Sequence, residues 1–201
     1  MGGFTLVEIM MVTAISAFVF AGVLSAYTFL GRSLSRQVNE QSLESRTRLA
    51  LYWLTQDLES ASAIKIQSPG SGTSGYTMEL TLSGGTIVDY AVDWNSSFTT
   101  NPPNPPGCLV RSSGGTTLVL LRSLTAITFN YYDINGTAIA APSTSTPLST
   151  PTLVNVDVKQ VSVNFTSAAG ISAVGNRSSF TVSTPRIIMK SKGFLTDPTT
   201  P

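Results

Sequence analysis

The stretch FTLVEIMMVTAISAFVFAGVLSAYTFL, Phe4 to Leu30, carries one charged residue, Glu8. As a helix rising about 1.5 Å per residue it would reach roughly 40 Å, longer than the hydrocarbon core of a bilayer. An ordinary secretory signal has an apolar region of about 7–15 residues followed by a small-residue cleavage site. This run is longer and continues into a helical pattern, so a signal fits poorly. A plain membrane anchor is the other simple reading. Glu8 counts against it, because a carboxylate in a spanning helix is costly and usually has a partner.

Composition narrows the chemistry left to the rest of the chain. The 201 residues suffice for one globular domain plus this appendage. Lysine and arginine total 12 against 11 aspartate and glutamate, and the net charge of +1 argues against a protein that coats nucleic acid. Histidine is absent, which removes the commonest general base and every histidine-containing triad or metal site. The single cysteine, Cys108, leaves no intramolecular disulfide. It reads as a small apolar residue at a strand start rather than a reactive thiol. No metal, cofactor or small-molecule substrate is implied.

Beyond Arg32 the pattern turns amphipathic. Leu51, Leu54, Leu58 and Ala61 recur at helical spacing, and Glu44 and Arg48 stand as an i,i+4 pair. Arg46 to Ile64 reads as the part of the helix that docks its apolar stripe against a β domain. After Ile66 the period changes. Ser68 to Gly75 is rich in turn residues, and Tyr76, Met78, Leu80 and Leu82 then alternate with polar residues as in a half-buried strand. Ser83-Gly84-Gly85 offers a turn into a second strand, Thr86 to Val92. Asn101 to Gly107, with four prolines, cannot pair in a sheet and is a loop.

Leu109 to Arg111, Leu118 to Leu121 and Ala126 to Tyr132 read as further strands, the first two split by Ser113-Gly114-Gly115. Asp133-Ile134-Asn135-Gly136 lacks the remaining ligands of a calcium loop and reads as a hairpin turn. Ala141 to Thr152 is a second long loop. Val154, Val156 and Val158 alternate in one frame and Val161, Val163 and Phe165 in another, so the slip at Lys159-Gln160 suggests a bulge or bend. Phe180 to Val182 and Arg186 to Met189 are expected to close the sheet, with a loose tail after Asp197. The fold class is α+β, a long N-terminal helix packed on an antiparallel β-rich head.

The segment GFTLVEIMMVTAIS, Gly3 to Ser16, resembles the N-terminal signature of type IV prepilins and pseudopilins. The resemblance implies cleavage by a prepilin peptidase between Gly3 and Phe4, N-methylation of Phe4, and Glu8 as the acidic residue fifth after the cut. Glu8 would neutralise the new amine at Phe4 of a neighbouring subunit in the apolar filament core, where an unpaired charge is costly. Its own helix dipole would also favour a carboxylate in the first turn. Ser25 stands where major pilins often have a helix-bending proline, so a straighter helix is expected. Arg32 and Arg36 follow the apolar run, and by the positive-inside rule they favour the orientation opposite to that of a pilin.

The head extends the likeness. Leu54, Asp57, Leu58 and Ala61 match a Leu-x-x-Asp-Leu-x-x-Ala pattern of J-type minor pseudopilins and W-type minor pilins; Tyr90 to Val92, Leu109 to Arg111 and Phe129 to Gly136 resemble their strand motifs. On that resemblance residues 1–3 are a leader remnant and 4–30 a transmembrane and filament-core helix. Residues 31–66 would be an amphipathic helix and 67–201 a β-rich pilin-like head, in the periplasm or on the cell surface once in a filament. The implied function is a minor subunit, not an enzyme, that primes assembly near the tip of a type II secretion pseudopilus or type IV pilus. The implied partners are the prepilin peptidase, other minor subunits, the major subunit and the bacterial inner membrane, with no nucleic acid. A ligand- or surface-binding tip subunit is the alternative, its candidate loops being Asn95 to Gly107 and Ala141 to Thr152. For a membrane-tethered enzyme, no spacing nominates a nucleophile with its base.

Overall fold

Thr5, in extended conformation, caps a helix (α1) that runs without a break from Leu6 to Ser60. At 55 residues it is about 80 Å long, and it passes Ser25 and Gly31 without interruption. The computed structural model describes residues 4–69, 74–94, 107–144, 153–169 and 178–190. Gly3, residues 95–106 of the first long loop and 145–152 of the second, and the chain after Lys190 lie outside them.

After α1 the described chain forms short strands: β1 Ala61–Ile66, β2 Ser68–Pro69, β3 Gly75–Leu82, β4 Ile87–Asp93, β5 Cys108–Ser113, β6 Thr116–Leu121, β7 Leu124–Tyr132, β8 Ala138–Ile139, β9 Ser143–Thr144, β10 Val154–Asn155, β11 Gln160–Ala169, β12 Ser178–Ser183 and β13 Ile187–Ile188. One antiparallel sheet has the order β10-β1-β3-β4-β5-β6. A second runs β12-β11-β7-β8, with β13 also on β11, again antiparallel. A short parallel pair, β2 with β9, lies beside them. The α+β class expected from the sequence is the observed one.

The helix divides sharply along its length. Residues 4–32 are exposed throughout, whereas Leu43, Thr47, Ala50, Leu54, Asp57 and Leu58 are buried against the head. From Leu43 to Leu54 these positions recur three or four apart, and Asp57 and Leu58 follow Leu54 by three and four, so all form one stripe. Leu54 and Leu58 join Ile64, Met78, Leu80, Leu109 and Leu121 in the core, together with Val161, Val163 and Phe165 of the second sheet. Each such side chain contributes about 1.5–3 kcal/mol by leaving water. The Glu44–Arg48 pair forms at 2.6 Å on the exposed side, where it is worth little.

The helix stops at Ser60, earlier than the expected boundary at Ile66, and Ala61–Ile66 is a strand instead. Ser60 Oγ donates back to the carbonyls of Gln56 and Asp57, and its own carbonyl accepts from Ser83 N–H. The chain then finds a ladder in β3, where Ile64 pairs with Leu80 and Ile66 with Met78. Ile64 and Ile66, two apart and both buried, suit a strand better than a helix turn. The partner strand, absent from any local window, decides the boundary.

The head's hairpins follow the turn residues. Gly114 and Gly115 both take positive φ, 56° and 78°, the requirement of the two-residue turn joining β5 to β6. Asp133 to Gly136 is the turn between β7 and β8, with Asp133 Oδ1 accepting from Thr137 N–H at 2.7 Å. The slip at Lys159-Gln160 is a change of sheet, because β10 lies at the edge of the first sheet and β11 is central in the second. Alternation in β3 is also broken. A bulge between Tyr76 and Met78 buries Thr77, whose carbonyl accepts from the Tyr131 hydroxyl of the second sheet at 3.1 Å.

Candidate functional site

The N-terminal turn is built by Thr5 and Glu8. Glu8 Oε2 accepts from Thr5 N–H at 2.8 Å and from Thr5 Oγ1 at 2.9 Å. In return Glu8 N–H donates to Thr5 Oγ1 at 3.3 Å, completing a capping box. This is an intrachain role that the dipole and filament-pairing readings of Glu8 omitted. The Thr-x-x-Glu spacing in Thr5 to Glu8 was the signal for it. Oε1 takes no part in the box.

Phe4 precedes this turn and is 85% exposed. Gly3 lies outside the described residues. Further along, Thr13 Oγ1 donates to the carbonyls of Ile9 and Met10, and Thr28 Oγ1 to that of Ser25. Each hydroxyl is thus satisfied within the helix, as an apolar surrounding demands. The helix is long and apolar enough to cross a membrane once.

A second cluster lies where α1 docks on the first sheet. Asp57 sits in the buried stripe with its side chain 4% exposed. Its Oδ2 accepts from the Tyr90 hydroxyl and from Arg111 Nε, both at 2.6 Å, and its Oδ1 accepts from an Arg111 Nη at 3.0 Å. The fork is bidentate, the strongest geometry such a pair can take. The Arg111 guanidinium also stacks over the Trp53 ring at 4.7 Å, one turn back on the helix.

Burial, followed by the charge of Asp57, pushes the Tyr90 phenol well above the usual range. The hydrogen bonds to Asp57 hold the Arg111 guanidinium more firmly protonated. With both oxygens engaged by donors, Asp57 is a fixed acceptor that orients three elements. The structure thereby joins three separate motif residues: Asp57 from the helix, Tyr90 from β4 and Arg111 from β5. The stripe around Leu54 and Leu58 is core, as its periodicity predicts, but no sequence pattern links these three residues to one another. The available signal was an acid on the apolar side of an amphipathic helix.

Cys108 opens β5 and is fully buried, as expected. Burial, reinforced by Asp93, pushes its thiol from 9.0 up to about 12. Because the thiolate is the reactive form, alkylation near pH 8 is expected to be about two to three orders of magnitude slower in the native chain than in urea. Labelling rates by mass spectrometry check this. Burial also raises the phenols of Tyr90 and Tyr131. All three groups keep protons in the folded state that the unfolded chain releases, so their contribution is complete below pH 9.0 and falls as pH rises above it.

Among the described residues no cluster of three or more histidine, cysteine, aspartate or glutamate side chains could hold a metal ion. The chain matches no protein-family model, no curated protein and no solved structure.

Proposed function

We propose that this chain is a minor pilin or pseudopilin: a prepilin-peptidase substrate held in the inner membrane by α1 and incorporated near the tip of a type II secretion pseudopilus or type IV pilus. The register of Gly3, Phe4 and Glu8 ahead of an apolar helix carries this reading. Its support from the fold is the division of α1, whose exposed apolar half leads into a half that docks an antiparallel head. A single helix of this kind can enter a bilayer first and a bundle of like helices afterwards. In both surroundings the apolar side chains stay out of water.

Intact-mass and N-terminal peptide mass spectrometry of the chain from membranes, with and without the peptidase, tests it. The expected product begins at methylated Phe4. Replacement of Gly3 by a bulkier residue is expected to leave the chain uncut. A chain still starting at Met1, or one cut downstream of Ala26, would refute the reading.

One observation favours the alternative of a ligand-binding tip subunit. A groove of about 810 Å³ lies between β7 and the first sheet, lined by Trp94, Phe129, Asn130, Ile139 and Ala141 among others. Trp94 and Ala141 stand at the points where both candidate loops begin.

A further inference from the structure

Arg32 and Arg36 belong to neither site above. Helical spacing places them on the stripe that docks the head: Arg32, Arg36, Leu43, Thr47, Ala50 and Leu54 are separated by four, seven, four, three and four residues. Yet Leu43 is the first buried residue of the helix, and both arginines are exposed. They therefore sit on the exposed helix between Leu30 and its docked half, Arg36 about 10 Å along the axis from Leu43. Arg48 pairs with Glu44 and Arg111 with Asp57, but Arg32 and Arg36 make no ion pair among the described residues. Glu40, one turn above Arg36, does not engage it either.

Resting on the membrane reading of α1, we propose that Arg32 and Arg36 form a binding site for the phosphate headgroup of an anionic phospholipid, at the bilayer surface where the apolar run of the helix ends. A guanidinium grips phosphate through two parallel N–H donors, and the i,i+4 spacing lets both arginines reach one headgroup layer. Their aliphatic stems extend the apolar surface at the bilayer edge. The same contact accounts for positive charge that would otherwise oppose a head outside the cytoplasm, because the lipid supplies the counter-charge.

The test reconstitutes the full chain in vesicles of equal parts phosphatidylcholine and phosphatidylglycerol, then measures the lipid ratio retained on extraction. The wild type is expected to enrich phosphatidylglycerol by roughly fivefold for each arginine at low ionic strength, less at high salt. The double variant Arg32→Gln/Arg36→Gln is expected to lose the enrichment, while Arg46→Gln/Arg48→Gln, with the same charge change higher on the helix, retains it. Equal enrichment in the wild type and the Arg32→Gln/Arg36→Gln chain would overturn the site, as would loss in both double variants alike. Failure to partition into phosphatidylcholine vesicles would instead overturn the membrane reading, and the site with it.

Discussion

Asp57→Ala is expected to destabilise the head by about 3–5 kcal/mol, the range for removing one partner of a buried charge pair. The Arg111 guanidinium, only 14% exposed, would lose both its carboxylate bonds, and the buried Tyr90 hydroxyl would lose its acceptor. For a chain of this size that corresponds to a melting temperature lower by on the order of 10 °C. Asp57→Asn keeps an acceptor but no charge, and about 1–3 kcal/mol is expected. Urea denaturation of the full chain in detergent, followed by tryptophan fluorescence, to which Trp53 beside Arg111 contributes, measures both. Replacing Asp57, Tyr90 and Arg111 together by apolar residues is expected to cost less than Asp57→Ala alone, because no charge is then left unpaired. A loss below 1 kcal/mol in Asp57→Ala would mean that water reaches Arg111 freely and that apolar packing alone docks the helix.

What the sequence disclosed about this arrangement follows from how local each signal is. The helix was legible because its apolar run is uninterrupted, and the β5–β6 and β7–β8 turns because Gly114, Gly115 and Gly136 sit where positive φ is needed. The end of the helix was not, since β1 is stabilised by β3, whose pairing with it no local window contains. The valines on either side of Lys159 showed a change of frame but not that they enter different sheets. Of the docking cluster the sequence offered three residues in separate motifs. Their meeting joins positions 33 and 54 residues apart, and no periodicity reports such a contact. Thr5 and Glu8 are the reverse case: three residues apart, they are readable as a capping box from the Thr-x-x-Glu spacing alone.

The capping box changes how Glu8 must be tested. Glu8→Ala removes the cap and the charge together, so a defect in that variant could come from either. Glu8→Gln separates them, because glutamine at this position can still accept from the N-cap residue. On the proposed reading, the carboxylate neutralises the Phe4 amine of a neighbouring subunit, and Oε1 takes no part in the box. Glu8→Gln should then enter filaments as poorly as Glu8→Ala, reduced on the order of tenfold or more, since an unpaired ammonium in an apolar core is strongly disfavoured. Membrane insertion and cleavage at Phe4 should be unaffected in both. Quantitative immunoblotting of sheared filaments against whole cells gives the incorporated fraction. If Glu8→Gln assembles normally while Glu8→Ala does not, the residue serves its own helix start. Normal assembly of both would refute the pairing of Glu8 with a neighbour's amine, unless this subunit caps the tip and has no neighbour above it.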